Sequence, residues 1–176
     1  MRKVTFGGAN SLDNFIARPD HGVDWLRWGK EAATVMAAFW KTIDTVVMGR
    51  KTYEVAAKSG QSVAYPGVKN YVFTRTLAEP ESGEVAFVRR DAAEFVRELK
   101  RQKGKDICVL GGGELARALF EADLIDELGF NLHPVLLGAG IPLFHPMGRQ
   151  IDLELRECRS FENGCVYVTY RVQHRA

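Results

Sequence analysis

The chain has 176 residues, 46% hydrophobic and 26% charged, the composition of a globular protein long enough to bury a core. Its 24 basic and 22 acidic side chains leave a formal net charge of +2, too balanced for the basic footprint of a nucleic-acid binder. No eighteen apolar residues run together and the N-terminus lacks a signal-peptide pattern, so a cytoplasmic protein without a membrane span is expected.

Along the chain, Arg2–Phe6 reads as a strand, apolar on alternate positions, that meets Gly7-Gly8. Asp24 is placed to cap a helix running to about Lys41, with Trp25, Trp28, Ala32, Val35, Met36, Phe39 and Trp40 as one apolar stripe. Thr45–Met48 is a short apolar run that stops at Gly49, and 70–74, 84–88, 107–110 and 127–132 follow the same pattern. Asp91 with Glu94 forms a capping box for a helix that buries Phe95, Val96 and Leu99. A third helix is expected from about Glu114 to Ala122, with Leu115, Ala118 and Leu119 on its inner face. Leu153–Phe161 and Cys165–Val172 flank Asn163-Gly164, a strong hairpin signal.

Short apolar strands with turn residues at their C-terminal ends, joined through helices, argue for a mostly parallel sheet covered on both faces. The expected architecture is therefore a three-layer α/β fold. A mixed sheet carries helices on each side and closes with an antiparallel C-terminal hairpin. Nothing marks a repeat or linker, so residues 1–176 read as one domain. If the turn pairs Glu162 with Cys165, Cys158 lies about 13 Å down the ladder, too far for a disulfide. Cys108 falls in an apolar run, and reduced thiols are expected throughout.

The most informative segment is Cys108-Val109-Leu110-Gly111-Gly112-Gly113-Glu114-Leu115. A buried strand runs into three glycines and a helix starts at once. Without Cβ atoms the backbone can approach a ligand closely, and the free N–H groups of the first helical turn suit a pyrophosphate. A tight strand-to-helix turn is the plainer alternative. An ordinary Rossmann fingerprint is excluded, because the cluster comes late and no acid follows at the end of the next strand. Gly49-Arg50-Lys51-Thr52 again follows a strand and opens a helix. Phe73-Thr74-Arg75 ends a third strand. Arginines at two strand ends suit a 2′-phosphate, which a guanidinium binds through a bidentate fork.

These segments resemble the dihydrofolate reductase-like superfamily, in the branch of the riboflavin-biosynthesis reductase domain and its stand-alone relatives. The similarity rests on Ser11-Leu12-Asp13-Asn14-Phe15-Ile16-Ala17, Val47–Glu54, Val72–Arg75, Leu110–Leu115, Leu124–Leu128, Pro134–Gly140 and Pro142–Phe144, in family order. The resemblance implies an NADPH-dependent reductase. Gly49, Arg50, Lys51, Thr52 and Gly111, Gly112, Gly113 with Glu114 and Leu115 would hold the pyrophosphate. Phe73, Thr74 and Arg75, with Arg50, would hold the 2′-phosphate end, while Gly8, Ala9 and Ile16 would line the nicotinamide. Substrate would lie beside Trp25 and Asn131, and a homodimer is implied. Gly7 stands where the riboflavin-pathway enzyme has lysine, and Leu110 where it has glutamate.

Hydride transfer asks for a cofactor pressed against a C=N or C=O and for exclusion of water. Asp13 is the first candidate to orient the substrate or relay a proton, and Glu31 the second. The substrate is read as a small heterocyclic or sugar-derived molecule. Folate reduction and 5-amino-6-ribosylaminouracil 5'-phosphate reduction are alternatives within this class, and a non-catalytic NADPH-binding module is the alternative outside it. His133 and His145 read as loop histidines, and no metal site is expected.

Overall fold

The computed structural model describes residues 1–58, 64–78 and 83–175. In chain order the elements are β1 (Val4–Ser11), β2 (Phe15–Ala17), α1 (Lys30–Thr42), β3 (Ile43–Gly49), α2 (Arg50–Lys58), β4 (Lys69–Phe73) and β5 (Val85–Val88). They continue with α3 (Ala92–Arg101), β6 (Asp106–Leu110), α4 (Gly113–Glu121), β7 (Glu127–His133), β8 (Ile141–Pro142), β9 (Leu153–Ser160) and β10 (Val166–Val172). The main sheet has the order β5-β4-β3-β6-β1-β7-β10-β9, and β2 pairs with β8 in a small second sheet. Pairing is parallel from β5 to β7 and antiparallel through β10 and β9. The mixed, mostly parallel sheet with its C-terminal hairpin is thus the expected one. Among the described residues no helix is long and apolar enough to cross a membrane.

Strand alternation sorts the core into two layers. Val46, Met48, Val72 and Cys108 pack on one face with Phe39 and Trp40 of α1 and Tyr53 of α2. Val4, Phe6, Val47, Ile107 and Val109 pack on the other against Val96 and Leu99 of α3 and Leu115, Leu119 and Phe120 of α4. Burying each such side chain contributes roughly 1.5–3 kcal/mol before ordering entropy is counted. Asp91 caps α3, accepting the Glu94 N–H at 2.9 Å.

Several local expectations give way to tertiary context. Asp24 caps no helix: it pairs with Arg18 at 2.9 Å, and α1 begins only at Lys30, after an extended Gly29. The stripe read from Trp25 onward is therefore broken. Trp25 is buried outside any helix, whereas Trp28 is 73% exposed. Ala118 faces solvent, and α4 buries Leu115, Ala116, Leu119 and Phe120 instead. β1 does not stop at the glycines but runs through them to Ser11. In the hairpin Phe161, not Glu162, lies opposite Cys165, its N–H donating to the Cys165 carbonyl at 2.8 Å. Cys158 then pairs with Val168, and all three cysteines are free thiols.

Candidate cofactor and substrate cleft

The chain reverses its direction of travel across the sheet between β3 and β6. From β3 it goes through α2 to β4 on one side, and from β6 through α4 past β1 to β7 on the other. α2 and α4 consequently lie on opposite faces, and both N-termini open at the C-terminal ends of adjacent strands. Such a switch point is where open α/β sheets take ligands, and helix N-termini offer unpaired N–H groups to an anion.

The three glycines serve three different needs. Gly111 has φ 75°, and a Cβ there would come within 2.0 Å of Thr52 Oγ1. Gly112 N–H donates to the same hydroxyl at 3.3 Å, which stitches the β6–α4 turn to the β3–α2 turn. A Cβ on Gly113 would strike the Leu143 carbonyl and the His145 ring. At Gly112 and Gly49, by contrast, a Cβ would meet nothing within 4 Å. That free space is where a ligand backbone can lie. Glu114 is exposed and Leu115 buried in the first turn of α4.

Beside this junction a cavity of about 380 Å³ is lined by Arg50, Phe73, Thr74, Arg75, Arg89 and Arg90, among others. Arg50 is held over its helix by Glu54 at 2.9 Å. Thr74 is buried, and its hydroxyl accepts the Thr76 and Leu77 N–H groups at 3.2 and 3.1 Å, turning Arg75 outward. Arg75 has no acidic partner among the described residues. Sequence reasoning missed Arg89 and Arg90. They reach the cleft because β5 pairs with β4, Phe73 beside Val88, with Thr74 N–H donating to the Val88 carbonyl at 3.1 Å. An Arg-Arg pair immediately after a strand-like run was the available signal.

The other end of the cleft is built by β1 and β7, where Ala9 lies beside Asn131 and Ser11 beside His133. Gly8 is exposed with open space over its Cα. A Cβ on Gly7 would sit 2.3 Å from the Gly129 carbonyl, so lysine does not fit that backbone. Ile16, in β2, is partly buried against the main core. The Asp13 carboxylate accepts the Ser11 hydroxyl at 2.6 Å and the Leu137 and Gly138 N–H groups at 3.1 and 2.8 Å. The Ser11 hydrogen bond is the main reason its pKa lies below the ordinary carboxylate value. Lys51 is exposed on α2, outside these contacts.

Glu31 lies in the first turn of α1 and accepts the Glu162 N–H at 2.8 Å, which braces the hairpin rather than the glycine junction. Trp25 is buried with its ring edge-on to His133, centroids 5.3 Å apart. His133 is not a loop residue but the last position of β7, whereas His145 packs over Gly113. Burial, with the positive charge of Arg27, holds His133 below its ordinary pKa. Near these strand ends three buried polar atoms have no hydrogen-bond partner among the described residues: Asn10 Oδ1, Asn131 Oδ1 and Trp25 Nε1. Among the described residues no group of three His, Cys, Asp or Glu stands together as a metal-binding set.

The fold is that of a reductase-type domain. The chain belongs to the RibD C-terminal domain family, whose model matches residues 2–167. It is 36% identical over 161 residues to the uncharacterised protein YwjB of Bacillus subtilis, covering 91% of this chain and 92% of that one. A second uncharacterised B. subtilis protein, YyaP, is 31% identical, with 97% and 95% covered. The crystal structure of a putative riboflavin biosynthesis protein from Shewanella sp. PV-4 superposes with a TM-score of 0.84 at 25% identity, covering 99% of this chain and 100% of that one. The Thermotoga maritima diaminohydroxyphosphoribosylaminopyrimidine deaminase/5-amino-6-(5-phosphoribosylamino)uracil reductase shares the fold, at TM-score 0.73 and 15% identity. There 97% of this chain covers 56% of the larger protein. The fold is dihydrofolate reductase-like.

Proposed function

We propose that this chain is an NADPH-dependent reductase that delivers hydride to a C=N or C=O of a small heterocyclic or sugar-derived substrate. The observation that carries the reading is the junction of Gly112 with Thr52, flanked on one side by the arginine-lined cavity. Parallel strands lie about 4.8 Å apart, so from the end of β4 to that of β1 the row spans roughly 14 Å, room for an extended dinucleotide. The free space over Gly49 and Gly112 fits a pyrophosphate, and the guanidinium groups fit a 2′-phosphate.

On this reading the amides of Gly49, Arg50, Lys51 and Thr52, and those from Gly111 to Leu115, hold the pyrophosphate. Arg50, Phe73, Thr74 and Arg75 hold the adenosine 2′-phosphate end, assisted by Arg89 and Arg90. Gly8, Ala9 and Ile16 form the floor for the nicotinamide, and Trp25 and Asn131 bound the substrate. When bound, NADPH supplies the hydride. Asp13 then acts by position: a carboxylate holding three hydrogen-bond donors, with a lowered pKa, is a poor proton donor but a good clamp between the β1 and β7 loops. The Leu137–Gly138 loop it grips helps to shield the reacting face from water.

Titration with NADPH and NADH tests this directly. Wild type is expected to prefer NADPH, and the Arg50→Ala/Arg75→Ala double variant to lose most of that preference. Each charge-assisted bond contributes about 1.5–3 kcal/mol. Equal binding of both cofactors by wild type defeats the arginine assignment.

A further inference from the structure

The main sheet ends on β9, and among the described residues no strand pairs with its outer side. β9 is eight residues long and none of them is buried. It carries neither proline nor lysine, two common guards against another strand docking on a free edge. Leu153 is 41% exposed and Leu155 55%.

Pairing with β10 sorts the side chains of this strand. Leu153, Leu155, Cys158 and Ser160 lie opposite Val172, Tyr170, Val168 and Val166 and share one face of the sheet. Glu154, Glu157 and Arg159, opposite Arg171, Thr169 and Tyr167, share the other. Arg156 is the extra residue of a bulge, and its pairing with Glu154 at 2.9 Å brings it to the charged face. Strict alternation would set Leu155 and Cys158 on opposite faces, and likewise Glu154 and Arg159. The bulge reunites both pairs.

Residues 153–160 read Leu-Glu-Leu-Arg-Glu-Cys-Arg-Ser, a segment complementary to its own reverse. Laid antiparallel on a second copy about a two-fold axis between Arg156 and Glu157, Glu154 falls opposite the partner's Arg159 and Arg156 opposite the partner's Glu157. Leu155 meets the partner's Cys158, and Leu153 the partner's Ser160. Symmetry makes each contact twice. Every charge faces its opposite, and none enters the apolar row. A slip of one residue in either direction sets Glu157 or Arg156 against its own copy and a leucine against a charge, so the register is specified.

We infer that the outer edge of β9 is an interface for a second copy of this chain, joining two main sheets through an antiparallel β9–β9 pair in this register. The inference stands apart from the reductase reading and needs no ligand.

Sedimentation velocity over a range of concentrations is expected to show a reversible dimer of twice the 19.7 kDa chain mass. Arg159→Glu and Glu154→Arg each set like charges opposite one another at two places, and each should weaken the dimer about tenfold. Mixing the two variants restores opposite signs at both places and should bring dimerisation back. Leu155→Cys puts a thiol opposite the partner's Cys158, so mild oxidation should give a covalent dimer. Leu153→Cys lies two positions, about 7 Å along the strand, from the partner's Cys158 and should not crosslink. Nor should wild type, whose two Cys158 residues are offset by about 10 Å. A monomer at every concentration, a mixture no tighter than its two components, or crosslinking of Leu153→Cys in place of Leu155→Cys each overturns the proposal.

Discussion

The two ends of the parallel sheet treat their polar groups in opposite ways. At the N-terminal ends Arg2 is almost fully buried, yet it pairs with Asp44 and donates to the Thr45 hydroxyl at 2.6 Å and the Lys105 carbonyl at 2.5 Å. Lys100 binds Asp126 at 2.5 Å and the Leu124 carbonyl at 3.0 Å, and Asp126 also takes the Val4 N–H at 2.7 Å. At the C-terminal ends the glycine turns stand open, and among the described residues Arg75 has no acidic partner and Asn10, Asn131 and Trp25 hold unpaired atoms. At the first end these buried charges are paired within the chain, which serves stability. The second is left unmatched where helix N-termini and arginines gather, and that deficit is what a phosphorylated ligand would fill.

If the N-terminal end serves only stability, Arg2→Ala should destabilise the fold more than any single substitution at the open end. Removing one member of a buried pair typically costs 3–5 kcal/mol, and Asp44, about a third exposed, places the expected loss near 3 kcal/mol. Urea denaturation measures it. NADPH affinity of the remaining folded protein should stay within about twofold, since the site lies at the opposite end of the strands. A large loss of affinity would break the division of labour.

Adjacent glycines sharpen the same comparison at the open end. Gly111→Ala forces a side chain into φ 75° and into Thr52, with an expected destabilisation of about 1–3 kcal/mol, read from the same urea curves. Gly112→Ala meets no protein atom and should fold with near-wild-type stability. Its methyl group would occupy the space assigned to the pyrophosphate, and NADPH affinity is expected to fall about tenfold, a loss of about 1.4 kcal/mol. Full binding by Gly112→Ala would empty the cradle of its meaning.

What could be read from the sequence was whatever is encoded over a few neighbouring residues. The glycine triplet, the Asp91 cap and the Asn163-Gly164 turn each state their backbone requirement locally. Asp24 shows the limit: a good capping residue was drawn into an ion pair with Arg18, and Gly29 postponed the helix. Arg89 and Arg90 belong to the cleft only because two distant strands pair, and His133 takes a backbone hydrogen bond from Arg27, 106 positions away. Pairing of β2 with β8 likewise depends on loops that close across the fold. Tertiary contacts decided these cases, and no periodicity announces them.

The smallest expected effect concerns Asp13, a paired group at the open end. Its folded-state pKa lies below the ordinary 3.8, so its contribution is complete above that value and fades as pH falls through the lower folded value. Asp13→Asn retains one acceptor oxygen and gives up the other, so at neutral pH Leu137 or Gly138 should lose its carboxylate bond. Hydrogen exchange at those two amides is expected to be faster in the variant at pH 7, with the melting temperature little changed because the group is only partly buried. The difference should shrink once the pH is well below 3.8, where wild type also carries a protonated side chain. Equal exchange in both proteins at neutral pH would mean that the carboxylate does not clamp the loop, and that Asp13 is free for the proton-transfer role its hydrogen bonds argue against.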